Sequence, residues 1–167
     1  MGNVFESIGY HQSSIDNAQS SVRWQSFHIG TRQNLWLGDG IYFWEQYNDA
    51  VWWDGRNKNP AIVSAHIKCQ REFFLDLDNK DDKKELKKYY DLVSEEMKKA
   101  DIDLKFLNDD LVTPFLCNYY KKTYDILLIR YSFPRTSGRP QMCATNTTIL
   151  SNINMVSFFV GGKYVEA

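Results

Sequence analysis

The chain carries almost no net charge: 20 Lys and Arg against 21 Asp and Glu over 167 residues leave −1 at pH 7. Without a global basic excess, nucleic-acid binding would need a local patch. Cysteine is scarce as well. Cys69, Cys117 and Cys143 are far apart, odd in number and form no CxxC pair. That pattern argues against a disulfide framework or a cysteine zinc site and for three reduced, buried thiols. No His, Asp or Glu pair at i, i+4 spacing comes with a third ligand, so no metal is expected. No run approaches 18 apolar residues, and no membrane span is expected. The opening MGNVFESIGY lacks the basic and long apolar regions of a signal peptide. It begins Met-Gly, but Glu6 stands where a myristoylation motif needs Ser or Thr. These absences together lead us to expect a cytoplasmic protein.

Aromatic residues are plentiful. They make up 15% of the chain, which argues against disorder. They crowd residues 36–53, WLGDGIYFWEQYNDAVWW, where six fall between Tyr42 and Trp53. The length suits one domain, residues 1–167, large enough to bury a core. Val4 to Tyr10 reads as a strand leading into His11, and Ser13 to Val22 as a short helix with Ile15, Ala18 and Val22 at helical spacing. Ser26 to Gly40 reads as an irregular loop. A strand is expected at Ile41 to Phe43, then a helix starting near Ala50 and capped by Asn48-Asp49. Pro60 opens the β-rich run AIVSAHIKC, with FFLDL after it.

The clearest helix spans Asp78 to Asp101, capped by Asp78 or Asn79, with Leu86, Tyr90, Val93, Met97 and Ala100 as its apolar stripe. Its KKELKK run is balanced by neighbouring acids and reads as a solvated face. Leu111 to Lys122 reads as a helix started or interrupted by Pro114. Asp125 to Phe133 has the composition of a buried strand, FPRTSGRP is a loop, and QMCAT and the residues on to Phe159 are β-like. The sum is one α+β domain.

Three segments could carry chemistry: Tyr10-His11-Gln12-Ser13-Ser14, Gly38-Asp39-Gly40-Ile41-Tyr42-Phe43, and Arg139-Pro140-Gln141-Met142-Cys143. Each is commonplace alone. Gly38-Asp39-Gly40 lacks the third glycine of a dinucleotide fingerprint, and no Walker A lysine follows it. Together, YHQSSIDNAQSSV and WLGDGIYFWEQYNDAVWW resemble the ADP-ribosyltransferase fold of the diphtheria-toxin and poly-ADP-ribose-polymerase class. That class carries a first-strand His in Tyr-His-Gly-Ser/Thr and, further along, Gly-x-Gly-x-Tyr-Phe. An Ala and a second ring follow, and a Glu sits on a later strand. Here His11 and Tyr42 are 31 residues apart, and Trp52 follows Ala50. The resemblance covers residues 8–53 well and 126–150 loosely.

The resemblance implies an α+β domain with a split, mixed β-sheet flanked by helices, and NAD as co-substrate. Nicotinamide is a flat cationic ring that aromatic faces attract. Tyr42 and Trp52 would sandwich it, while Phe43, Trp44 and Trp53 face the core. His11 would hold the neighbouring ribose, the backbone at Gln12 and Ser13 the carboxamide, and Gly40 would line the same pocket. Gln141 occupies the last motif position. The loop from Pro134 to Pro140 stands where this class often reads its target, so Arg135 and Arg139 would contact phosphate of NAD or of the acceptor. The implied activity is mono-ADP-ribosyl transfer, toxin- or defence-like, to a protein, DNA or RNA acceptor. An antidote protein would be a further partner.

Two departures stand out. Gln12 replaces the usual Gly, and Gln141 replaces the usual Glu. An amide can orient a ribose hydroxyl but accepts no proton near neutral pH, which favours single transfer over polymer building. Glu45 or Asp39 could stand in as the acid. Two rival readings remain at this level: hydrolysis of NAD in the same pocket, and a degenerate module that binds a nucleotide or a partner. His28, in FHIGT, lies too close to Tyr42 in sequence to be the first-strand His, and His66 reads as structural.

Overall fold

The computed structural model describes residues 2–29, 36–53, 57–99 and 113–167. Strand β1 (Val4–Ser14) runs four residues past the expected end, because Gln12, Ser13 and Ser14 keep pairing with β3 (Pro60–Gln70). Ser14 then caps α1 (Ile15–Trp24), its Oγ accepting from Asn17 N at 3.3 Å. β2 (Ile41–Trp44) leads into α2 (Tyr47–Trp52), which starts earlier than expected. Gln46 is its N-cap and makes no side-chain bond there, so Asn48 and Asp49 lie inside the helix and do not cap it.

The apolar runs give β4 (Phe74–Asp76), β5 (Leu128–Ser132), β6 (Pro140–Ala144) and β7 (Leu150–Val160). A last strand, β8 (Lys163–Glu166), turns back on β7 through Gly161 and Gly162, both at positive φ. Two more helices lie among the described residues. α3 (Lys80–Lys99) is capped by Asn79, whose Oδ1 accepts from Asp81 N at 2.8 Å. Its buried side carries Leu86 and Tyr89, with Tyr90 and Val93 partly covered. Ala100, Asp101, Leu111 and the side chain of Met97 lie outside the described residues, as do residues 30–35 of the Ser26–Gly40 loop. α4 (Pro114–Tyr124) has Thr113 as N-cap and Pro114 in its first turn, where a missing N–H costs nothing.

The fold is α+β with one eight-stranded mixed sheet, in the order β4-β5-β6-β2-β1-β3-β7-β8. Every neighbouring pair is antiparallel except β4 with β5. β1 pairs with β3 along its whole length, from Val4↔Gln70 to Ser14↔Pro60. Its pairing with β2 is reduced to the single register pair Tyr10↔Trp44. The sheet therefore has two well-paired halves joined at one point, and the strands part there. No helix among the described residues is long and apolar enough to cross a membrane.

The Gly38-Asp39-Gly40 turn sits beside this junction, clamped from two sides. Asn118 of α4 accepts from Asp39 N at 2.8 Å, and the buried Lys121 Nζ donates to Asp39 O at 2.6 Å. A Cβ on Gly40 would stand 2.4 Å from Cys143 Sγ of β6. Gly38 has φ of 82°, and its Cβ would stand 2.1 Å from Asn118 Oδ1. Gly38→Ala therefore lowers unfolding stability by roughly 2 kcal/mol or more. Gly138→Ala, at φ of 71° with nothing within 4 Å of the added carbon, loses only the backbone contribution, roughly 1 kcal/mol. Urea melts of the two variants check the difference.

Candidate functional site

Side chains alternate across a strand, and this decides which candidate residues meet. On one face His11 pairs in register with Val63, and Phe43 of β2 lies beside it in the core under α1. On the other face stand Tyr10, Gln12, Tyr42, Trp44, Gln141 and Cys143, through the register pairs Tyr10↔Trp44, Trp44↔Gln141 and Tyr42↔Cys143. His11 and Tyr42 therefore belong to opposite faces, yet they touch. His11 Nδ1 lies 2.7 Å from the carbonyl oxygen of Tyr42, across the gap where β1 and β2 part. A carbonyl only accepts, so Nδ1 carries the proton and Nε2 presents a lone pair. Phe27 and Phe43 hold the ring edge-on and tilted, at 5.3 and 5.9 Å.

Tyr42 is fixed at both ends. Its hydroxyl donates to Gly38 O at 2.6 Å and accepts from Leu37 N at 2.8 Å. Burial, reinforced by the neighbouring Cys143, pushes its phenol far above the usual tyrosine range. It is a neutral ring that tightens the glycine turn. The turn, Tyr42 and His11 thus form one hydrogen-bonded chain.

Gln141 lies on the Tyr42 face, flanked by Trp44 on β2 and Tyr131 on β5. It is only 5% exposed, and among the described residues its Oε1 has no hydrogen-bond partner. Leaving a buried amide oxygen unpaired costs roughly 1–3 kcal/mol, so this acceptor suits a donor brought by a ligand. Aromatic rings crowd this region. Trp36 packs on Trp53 and Phe133 at 5.8 and 5.1 Å, and Trp44 on Trp53 and Trp52 at 5.7 and 6.1 Å. Phe43 and Trp44 are core residues and Trp53 is half-buried, whereas Trp52 is exposed. Tyr42 and Trp52 make no ring contact with each other among the described pairs. Arg135 stacks over Trp36 at 4.7 Å and Arg139 over Trp52 at 4.0 Å, so the loop arginines lie on tryptophans.

Gln12 has a task that the sequence does not reveal. Its Nε2 lies 3.0 Å from Ala50 O, 2.7 Å from Trp53 O and 2.9 Å from Tyr164 Oη. One side-chain amide thus ties β1 to the end of α2 and to β8. Ser13 is buried, with its Oγ donating to Ser14 O. Glu45 is engaged by Arg130 in a two-pronged ion pair, and Arg130 also binds Asp76 and Asp78. Asp39 is exposed and serves the turn through its backbone. His28 is exposed in irregular chain, and His66 pairs with Glu6 at 2.8 Å. All three cysteines are buried and outside any disulfide, and no metal-ligand group occurs among the described residues.

No family model matches the chain. No solved structure matches it either. The chain is similar to a protein of Methanocaldococcus jannaschii described as uncharacterized, with 26% identity over 141 residues. That match covers 75% of this chain and 64% of the relative, so the chain spans less than two thirds of the relative's length.

The buried setting of His11 has a consequence for stability. Burial disfavours the imidazolium and outweighs the bond to the Tyr42 carbonyl, so His11 titrates below its ordinary 6.5. The unfolded chain then takes up this proton at a higher pH than the folded one. Stability is unaffected above the ordinary histidine range and falls as pH drops from there toward the lowered folded value. His11→Asn flattens that loss. Thermal melts from neutral pH to about pH 5 compare the slopes of variant and wild type.

Proposed function

We propose that this chain is an NAD-dependent mono-ADP-ribosyltransferase, toxin- or defence-like, acting on a macromolecular acceptor. The observation that carries this reading is the bond from His11 Nδ1 to the Tyr42 carbonyl at the parting of β1 and β2. It joins the two motif segments on which the resemblance rests and fixes the tautomer that leaves Nε2 as an acceptor for a ribose hydroxyl. The Oε1 of Gln141, without a partner among the described residues, offers a further acceptor on β6, on the sheet's other face. Aromatic surface for a flat cation lies close by on α2.

In this reading the chain's residues act by holding. In the gap where β1 and β2 part, His11 accepts from a ribose hydroxyl, while Gln141 and the aromatic faces meet the ligand from the other side of the sheet. Departure of neutral nicotinamide breaks the bond between its ring nitrogen and the ribose, leaving a cation-like carbon. Only contacts that strengthen as that charge develops speed the step. Gln141 takes no proton, so the attacking group of the acceptor must already be nucleophilic or lose its proton to solvent. One observation favours NAD hydrolysis as the second reading. Glu45, the candidate stand-in acid, is held by Arg130, which leaves water as an undemanding acceptor. A non-catalytic nucleotide-binding module is the third.

Incubation with labelled NAD, with and without cell extract, separates the three. Labelled macromolecule indicates transfer, free ADP-ribose alone indicates hydrolysis, and binding without turnover indicates the module. His11→Ala and Tyr42→Ala each lower transfer by roughly 100-fold or more through loss of positioning, with circular dichroism confirming the fold. Retained transfer in both variants rejects the assignment.

Gln141→Glu supplies a carboxylate in the same place and is expected to speed turnover of NAD. Unchanged or slower turnover in steady-state assays shows that the amide itself is the working group.

A further inference from the structure

Trp52 is 46% exposed, but its indole face is covered by Arg139. The guanidinium carbon lies 4.0 Å from the ring centroid. Nε donates to Asp49 Oδ1 at 3.1 Å, and Nη1 donates to Thr136 O at 3.0 Å. A flat cation is therefore held between an aromatic face and a carboxylate. Asp49 and Trp52 both belong to α2 at i, i+3 spacing, so one turn of helix builds both groups. Arg139 comes from a separate segment, the connection between β5 and β6, whose Ser137 and Gly138 have φ of 54° and 71°. Arg135 stacks on Trp36 in a similar way, but no carboxylate pairs with it among the described residues.

We propose that Trp52 and Asp49 form a subsite for planar organic cations, with Arg139 as its resident occupant, displaced when a cationic ring binds. The preference for a flat cation follows from what already lies there: guanidinium stacks on indole and pairs with Asp49. A phosphate at this place would meet the Asp49 carboxylate, and Arg139 is already neutralised by that carboxylate. A pyridinium would gain both the indole face and the negative charge that Arg139 gives up. The identity of the natural ligand as the nicotinamide end of NAD rests on the transferase reading. The subsite itself does not.

The test uses the whole chain and a probe without phosphate, the N-methylnicotinamide cation, with neutral nicotinamide as control, followed by tryptophan fluorescence and calorimetry. Arg139→Ala is expected to bind the cation roughly three- to tenfold more tightly and to leave nicotinamide binding unchanged. Asp49→Asn, added to Arg139→Ala, removes the gain. Arg139→Lys, which keeps the charge and stacks poorly, lies between wild type and Arg139→Ala. Equal or weaker binding of the cation by Arg139→Ala and Arg139→Lys overturns the proposal. Tighter cation binding in a protein that never consumes NAD supports the subsite and defeats the transferase reading. Consumption of NAD with no gain in cation binding does the reverse.

Discussion

The hydrogen bond between His11 and the Tyr42 carbonyl holds the two halves of the sheet in register where strand pairing has all but stopped. β1 and β2 share one register pair, Tyr10↔Trp44, and beyond it the imidazole takes over the role of the ladder. Tyr42 passes the constraint on. Its hydroxyl closes on Gly38 and Leu37, and the turn it tightens is gripped by Asn118 and Lys121 of α4. A disturbance at any of these groups reaches the others through short, directional bonds. Ring-packing contacts, which fall off gently with displacement, would not enforce such a geometry.

Much of the architecture was legible in the residues. The β-rich runs around Ile8, Ile62 and Ile129 mark strands, and Ser13-Ser14, Asn79 and Pro114 mark helix starts. Gly38 and Gly40 announced a turn that admits no side chain. Other features were not legible because they depend on partners far away in the chain. Gln12 meets Tyr164 across 152 residues, and Arg139 meets Asp49 across 90. Nothing in local composition chooses those partners. The missed strand β8 is different. Gly161-Gly162 between Phe158-Phe159-Val160 and Tyr164-Val165 is a hairpin signal that a closer reading of turn chemistry finds.

The two glutamines that depart from the resembled motif behave in opposite ways, although both sit on the same face. Gln12 is saturated: its amide fastens α2 and β8 to β1, so the position that usually carries glycine has become a structural tie. The strand is extended there and paired with Ile62, a conformation any residue adopts. Gln141 is the reverse, a buried amide whose oxygen has no partner among the described residues. A chain under selection for stability alone would fill that place with an apolar side chain or supply a donor. Keeping an unpaired acceptor between Trp44 and Tyr131 is understandable when a ligand hydroxyl completes it.

The same logic extends to charge. The carboxylates nearest this face are spoken for, Glu45 by Arg130 and Asp49 by Arg139, and neither projects as an unpaired anion. The acceptors left over are the neutral Oε1 of Gln141 on this face and, across the sheet, the Nε2 of His11, whose titration burial lowers. Neutral acceptors can grip hydroxyl groups without drawing a proton from them. They are suited to a reaction whose difficult step is loss of a cationic leaving group from a sugar, where orientation matters more than acid–base exchange.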